Sequence, residues 1–302
     1  MTPTEAPSLV VLAAGMARRY GGCKPLAPIG PRGEAVLDLL VSDAQASGFG
    51  LIVLVVHPET GPAIRYHVEK CWPTEVEVAF ATQRLPLGTV HAVLAAEQAV
   101  GPDRSFAIAN ADDVYGEVAM GLLADHLASG PAEHALVGYR LRATVATGDP
   151  VTRGICTVND AGHLTALVER RGVTRVGDGT HFATGDGLQP EELSGELPTS
   201  VNLWGFQPEI WPVLRAAMDS SGLDEDRLLA QVAAGAETPK AEVLLPEVVA
   251  AMVTSGNGLP VRVRPTGATL IGVTHAADLP VVSAELSRQV AWGIRPSALW
   301  RR

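Results

Sequence analysis

The sequence predicts an α/β fold, a mainly parallel mixed sheet flanked by helices, on three observations. Apolar runs of strand length recur at residues 9–14, 51–56 and 105–109. Runs without a polar alternation read as strands buried on both faces, the habit of parallel sheets. Helical stretches separate them, which is the rhythm of βαβ units. The first run also stops at Gly15 and enters a loop rich in glycine and cations, Gly15-Met-Ala-Arg-Arg-Tyr-Gly-Gly-Cys-Lys24. A strand that ends in such a loop before a helix is where open α/β sheets bind nucleotides.

Each element follows in order. Residues 34–47 form an amphipathic helix that stops before Gly48, and 51–56 the second buried strand. A short helix over 63–70 and a third strand over 75–80 come next, then an alanine-rich helix over 89–100. The strand at 105–109 leads to a helix at 118–129 and a strand at 135–141. Beyond Thr144 the pattern changes: strands at 154–158 and 163–168 flank Asn159-Asp-Ala-Gly162, a polar hairpin turn. Residues 170–198 carry glycine and charge without a period and read as long loops or a flap over a site. A strand at 200–206, helices at 208–218 and 244–253, an alternating strand at 261–264 and a helix at 276–290 complete the chain. No repeat or linker divides it. The expectation is one domain, 1–302: a nucleotide-binding half (1–145), an acceptor-binding half (146–255) and a C-terminal extension (256–302).

With 47% hydrophobic and 19% charged residues the chain can bury a sizeable core. A net charge of −10 argues against broad nucleic-acid binding and offers no anchor for an anionic membrane. An acidic protein that binds a polyphosphate must concentrate cations locally, and Arg18, Arg19 and Lys24 do so, with room for a metal ion. Cys23, Cys71 and Cys156 are too scattered for a zinc site or disulfide framework. No basic leader or membrane-length apolar stretch is present, so a cytoplasmic protein is expected.

The loop fits neither of two familiar phosphate motifs. Lys24 precedes Pro25 rather than a hydroxyl residue, which excludes a P-loop, and the residue two after Gly15 is Ala17, which excludes a dinucleotide fingerprint. After the strand at 105–109 comes Asn110-Ala-Asp-Asp-Val-Tyr-Gly116. Carboxylates there share a sheet edge with the first loop, and Mg²⁺ is commonly held by one or two carboxylates plus substrate phosphates. Asp112 or Asp113 could instead cap the following helix, but adjacent acids repel without a cation.

The segment Leu12-Ala-Ala-Gly-Met-Ala-Arg-Arg-Tyr-Gly-Gly-Cys-Lys24 resembles the signature loop of the sugar-phosphate nucleotidyltransferase superfamily, whose fold is Rossmann-like. The resemblance assigns Leu12, Ala13, Ala14, Gly15 and Met16 to the nucleotide, Arg19 and Lys24 to its phosphates, and Asp112 to the metal, Mg²⁺. It makes Gln83 and Gly88, with Thr89, the base-recognition segment; from the residues alone, Gly-Thr is also an ordinary helix start. For the acceptor it points to Asp113, Gly154, Glu169, Asn202 and Trp204. A surface ion pair with Arg170 or Arg171 is the alternative for Glu169, and core packing the alternative for Trp204. Where Arg170 stands, many relatives carry lysine. The second metal aspartate of relatives has no counterpart in its expected place, leaving Asp278 and His275 as candidates.

The implied reaction couples a nucleoside triphosphate to a sugar 1-phosphate, releasing pyrophosphate and forming a nucleotide sugar. The partners are these two small molecules, with a homo-oligomer possible. The alternatives are transfer to phosphocholine, a polyol phosphate or a cofactor phosphate, and a silent nucleotide-binding regulator. A related glycosyltransferase would usually show Asp-x-Asp, whereas these acids are adjacent. No Gly-x-Ser-x-Gly elbow suggests hydrolysis.

Overall fold

The structure, a computed structural model, describes residues 6–15, 22–145, 149–272 and 278–300. Met16, Arg18, Arg19 and His275 lie outside the described residues.

The first half follows the expected rhythm. β1 (Ser8–Ala13), α1 (Val36–Ala46), β2 (Ile52–Val56), α2 (Gly61–Cys71) and β3 (Val78–Thr82) form two successive crossovers. The predicted helix at 89–100 is broken at Ala96 into α3 (Thr89–Ala95) and α4 (Glu97–Val100). β4 (Phe106–Asn110), β5 (Asp113–Val114), α5 (Glu117–Ala128) and β6 (His134–Arg140) follow. β3, β2, β1 and β4 lie side by side and parallel. From β1 the chain moves outward to β2 and β3, then returns to place β4 on β1's other side. That reversal is a topological switch point, and its crevice opens beyond the carboxyl ends of β1 and β4.

The apolar runs are buried on both faces as expected. Leu9, Val11 and Ala13 of β1, with Ile52, Leu54 and Val56 of β2, pack into the layer holding α1, α2 and α5. Val10, Val53, Val55 and Ile108 pack into the opposite layer with α3 and α4.

The second half is antiparallel. β7 (Val151–Val158) and β8 (Leu164–Val176) form the predicted hairpin, with β8 longer than expected. The reading of residues 170–198 as loops is corrected. β8 runs on to Val176, and β9 (His181–Ala183), β10 (Glu192–Ser194) and β11 (Pro198–Ser200) form within or beside that stretch. The predicted strand at 200–206 is also corrected. It divides into β11 and β12 (Trp204–Phe206), because Asn202 takes the left-handed conformation, φ 65°, that asparagine tolerates better than most residues.

α6 (Ile210–Ser221), α8 (Leu245–Ser255) and β13 (Val261–Pro265) match expectation, and between α6 and α8 lies an unanticipated helix, α7 (Glu225–Ala233). Asp224 caps α7 by accepting from the Arg227 amide. β14 (Ile271–Gly272) pairs with β5, and α9 (Leu279–Ala291) closes the chain against α1. The main sheet runs β10-β9-β8-β7-β11-β6-β12-β4-β1-β2-β3, with β13 parallel to β6. The parallel half and the antiparallel half therefore meet in one continuous sheet. No helix among the described residues is long and apolar enough to cross a membrane.

His134, at the start of β6, is fully buried, accepts from the Gln207 amide, and has its pKa lowered by burial to about 4. The unfolded chain takes up this proton near pH 6.5, whereas the folded protein resists it down to about 4. The contribution is thus intact above pH 6.5 and lost as pH falls toward 4, on the order of 3 kcal/mol in all. Urea unfolding between pH 7 and 4 should show that loss, and His134→Gln should flatten the slope. An equally steep slope in the variant would remove His134 as its source.

Candidate active site

Two cavities open at the switch point. The first, about 790 Å³, is lined by Leu12, Ala14, Gly15, Gln83, Gly88, Thr89 and Asp112. All seven belong to the predicted nucleotide site. Ala13 lies between two lining residues, and the period of two in a strand sends its methyl into the opposite core layer, so only its backbone borders the cavity side. The outer wall is the exposed stretch around Glu237, Thr238 and Lys240, which the sequence did not single out.

The Gln83 amide donates to the Gly88 carbonyl (3.0 Å) and also contacts His91. Gly88 has φ +98° and abuts the backbone of Val243. Val243 in turn donates to the Leu87 carbonyl and accepts from the Val90 amide. The Thr89 hydroxyl accepts from the Leu245 amide (2.7 Å), fixing the start of α8. The Gln83–Thr89 wall of this cavity is thus pinned to the start of α8.

Asp112 and Asp113 follow β4, whose last residue, Asn110, sits in register with Leu12. Lys24 Nζ reaches Asp112 Oδ2 at 2.5 Å across 88 positions of sequence. The pair is partly exposed, with Asp112 the more open. Burial, and next the charge of Asp112, push the Asp113 carboxyl up to about 7. Cys23, beside Lys24, is half-buried, and burial raises its thiol, so a reactive thiolate is not favoured there.

The second cavity, about 480 Å³, is lined by Asp113, Gly154, Glu169 and Asn202, four of the five predicted acceptor residues. Thr89 and Asn110 line both cavities, so the two spaces meet beside the paired acids. The fifth, Trp204, is a correction. It is fully buried in the core, and its Nε1 donates to Asn202 Oδ1 (2.8 Å) rather than facing the cavity.

That bond starts a relay which the sequence did not reveal. Asn202 Nδ2 donates to Asn110 Oδ1 (3.0 Å), and Asn110 Nδ2 donates to Asp113 Oδ2 (3.1 Å). The Asn110 amide donates to the Tyr115 hydroxyl, which donates to the Val201 carbonyl. Burial, then Asp113, raise Tyr115 well above its usual pKa, so it stays a donor. The left-handed turn at Asn202 and the acid pair are therefore held as one unit.

Glu169 makes only a loose contact with Arg171 (3.8 Å) and is open to the cavity. Arg170 turns away from it. Its side chain is buried against Asp186 in a bidentate pair, with further bonds to Thr184 Oγ1 and the carbonyls of Leu188 and Pro190. It staples β8 to the stretch that was expected to be loop. Asp278 stands at the N-terminal boundary of α9 and is not among the residues lining either cavity. Among the described residues no three His, Cys, Asp or Glu side chains gather as a metal cluster.

Comparison with known proteins decides the family. The MobA-like NTP transferase domain matches residues 9–186, more than half of the chain. The chain belongs to that family. The matched span contains the loop after β1, Gln83, Gly88, the acid pair and the hairpin carrying Glu169, and it makes the protein a nucleotidyltransferase. Among solved structures the transferase is similar to the inositol-1-phosphate CTP transferase from T. maritima, with 13% identity and a TM-score of 0.64. That match covers 98% of this chain and 99% of the other, and it bears out the fold. No curated protein sequence matches the chain.

Proposed function

We propose that the transferase joins a nucleoside triphosphate to a sugar 1-phosphate or a closely similar polyol phosphate, releasing pyrophosphate. One observation carries the reading: two cavities, one bounded by the end of β1 with Gln83 and Gly88 and one by mixed polar and apolar groups, meet at Thr89 and Asn110 beside Asp112. The triphosphate takes the first and the acceptor the second. An oxygen of the acceptor phosphate attacks the α-phosphorus, and the bond to the β-phosphate breaks with its electron pair leaving on pyrophosphate. The nucleophile is already an anion, so no general base is needed. The residues contribute by alignment and charge: Lys24 on the phosphates, Asn110 and Asn202 holding the acid pair in place. A polyol phosphate acceptor is in keeping with the structural neighbour from T. maritima, whose name records a phosphorylated inositol.

The donor set fits a hard divalent cation, because two adjacent carboxylates crowd each other and Asp112 keeps an exposed face toward the nucleotide cavity. Asp112, with Asp113 beside it, would hold Mg²⁺, which would neutralise triphosphate charge. The test is pyrophosphate release from each nucleoside triphosphate against a panel of sugar 1-phosphates and polyol phosphates, with and without Mg²⁺. Metal-dependent release for one pair is expected. Triphosphate binding without release across the whole panel would overturn the reading.

A further inference from the structure

We infer that Arg153, and not Arg170, is the cation that binds the phosphate of the acceptor. The inference rests on the proposed reaction and names the group that recognises its second substrate.

An acceptor phosphate entering the second cavity meets strong negative potential, because Asp113, Glu169 and Glu247 all line it. A doubly charged ligand needs a cation there. Arg170, adjacent in sequence to Glu169, is consumed by Asp186 and three other acceptors. Arg153 is the remaining candidate among the described lining residues. It lines the cavity, and its guanidinium donates only to the carbonyls of Thr144 and Thr152. No carboxylate among the described residues lies within ion-pair distance of it. Arg153 is half-buried, and a partly desolvated guanidinium without a carboxylate leaves a charge open to an anionic partner. Burial lowers its pKa, while Asp113 and then Tyr115 and Asp112 act in the other direction, which places it in the field of the acid pair. Its two carbonyl contacts fix the fork, leaving its charge to attract a phosphate.

The rest of the cavity then sorts acceptors. Glu169 and Glu247 repel the phosphate and accept hydrogen bonds from hydroxyl groups, while Leu167, Leu244 and Pro246 offer an apolar wall to a ring. No aromatic side chain is among the described lining residues, so these offer a quaternary ammonium group no cage. The ligand class is a polyhydroxylated monophosphate.

Calorimetric titration of inositol 1-phosphate, glucose 1-phosphate, phosphocholine and unphosphorylated inositol tests this on the full chain. The wild type should bind the two polyol phosphates and favour them over the other two. Arg153→Gln should weaken polyol phosphates by about tenfold or more, the scale of a charged hydrogen bond, with nucleoside triphosphate affinity unchanged. Arg153→Lys should fall between them, and in turnover the loss should enter KM for the acceptor rather than for the triphosphate. Polyol phosphate binding that Arg153→Gln leaves intact would overturn the inference. So would phosphocholine binding equally well, or polyol phosphates failing to bind the wild type. If Arg153→Gln does not fold, Arg153→Lys decides: wild-type acceptor affinity in it, with a lowered Tm, would make the residue structural. Arg153-dependent binding without any pyrophosphate release would instead remove the proposed reaction and leave the phosphate site standing.

Discussion

Asp112→Asn is expected to lower turnover by about 10²- to 10³-fold, the usual loss when one charge-stabilising group is removed from an active site. The side chain ends at the nucleotide cavity, bonds to Lys24 and is more than a third exposed. A partly exposed ion pair adds little to stability, so the melting temperature should hardly move. Lys24→Ala should fall by a similar factor for a different reason. Lys24 is held on Asp112, and in the proposed reaction the same ammonium serves the phosphates. The two side chains share one electrostatic task, so the double variant should be little worse than the poorer single one. Steady-state pyrophosphate release and thermal unfolding, measured on all three variants, check this. Near-wild-type rates in both single variants would end the assignment, and multiplied losses in the double variant would show that the groups act separately.

The sequence revealed most where burial writes itself locally. β1, β2 and β4 are covered on both faces, so every position in them is apolar except Ser8 and Asn110 at two strand ends, and a run of apolar residues bounded by glycine or polar residues stands out in the sequence. The same logic pointed to the candidate site, because Gly15 after β1 and the acids after β4 lie at the two strand ends that flank the switch point. The antiparallel half was harder. β9, β10 and β11 have three residues each, too short for a period to declare itself. Their stability comes from partners distant in sequence, as in the pairing of Arg170 with Asp186, sixteen positions away.

Sequence adjacency also misled at the level of single residues. In a strand, neighbours point to opposite faces. Glu169 therefore faces the cavity while Arg170 is buried on the other side, and Leu12 faces the nucleotide cavity while Ala13 packs into the core. The resemblance places Trp204 at the site, whereas the residue is buried in the core and reaches the cavity only through its bond to Asn202. Asn110 was within the acid motif from the start, but a neutral amide attracts less notice than two carboxylates. Only the fold shows that it links Asn202 to Asp113.

Gly88→Ala should be strongly damaging, because among the described glycines its added methyl meets backbone at the shortest distance. An added Cβ would stand 2.4 Å from the Val243 carbonyl oxygen, 2.5 Å from its nitrogen and 2.8 Å from its carbonyl carbon. These are backbone atoms, so no side-chain rotation relieves the contact. The residue also sits at φ +98°, where an L side chain is strained by roughly 1–3 kcal/mol before any clash. Val243 cannot simply retreat, because it bonds to Leu87 on one side of Gly88 and to Val90 on the other. Relief therefore requires breaking one or both bonds and moving the segment that leads into α8. Since the Gly88 carbonyl also accepts from Gln83, the Gln83–Thr89 wall would shift with it. The expected result is a fall of several degrees in melting temperature together with a loss of triphosphate affinity of at least about tenfold, in keeping with a strained and overpacked backbone position. Gln83→Ala separates the two contributions. It leaves the backbone of Gly88 untouched, so it should weaken triphosphate binding with little change in melting temperature. If Gly88→Ala lost affinity with an unchanged melting temperature, the glycine would be required for the ligand alone and the packing against Val243 would carry no weight.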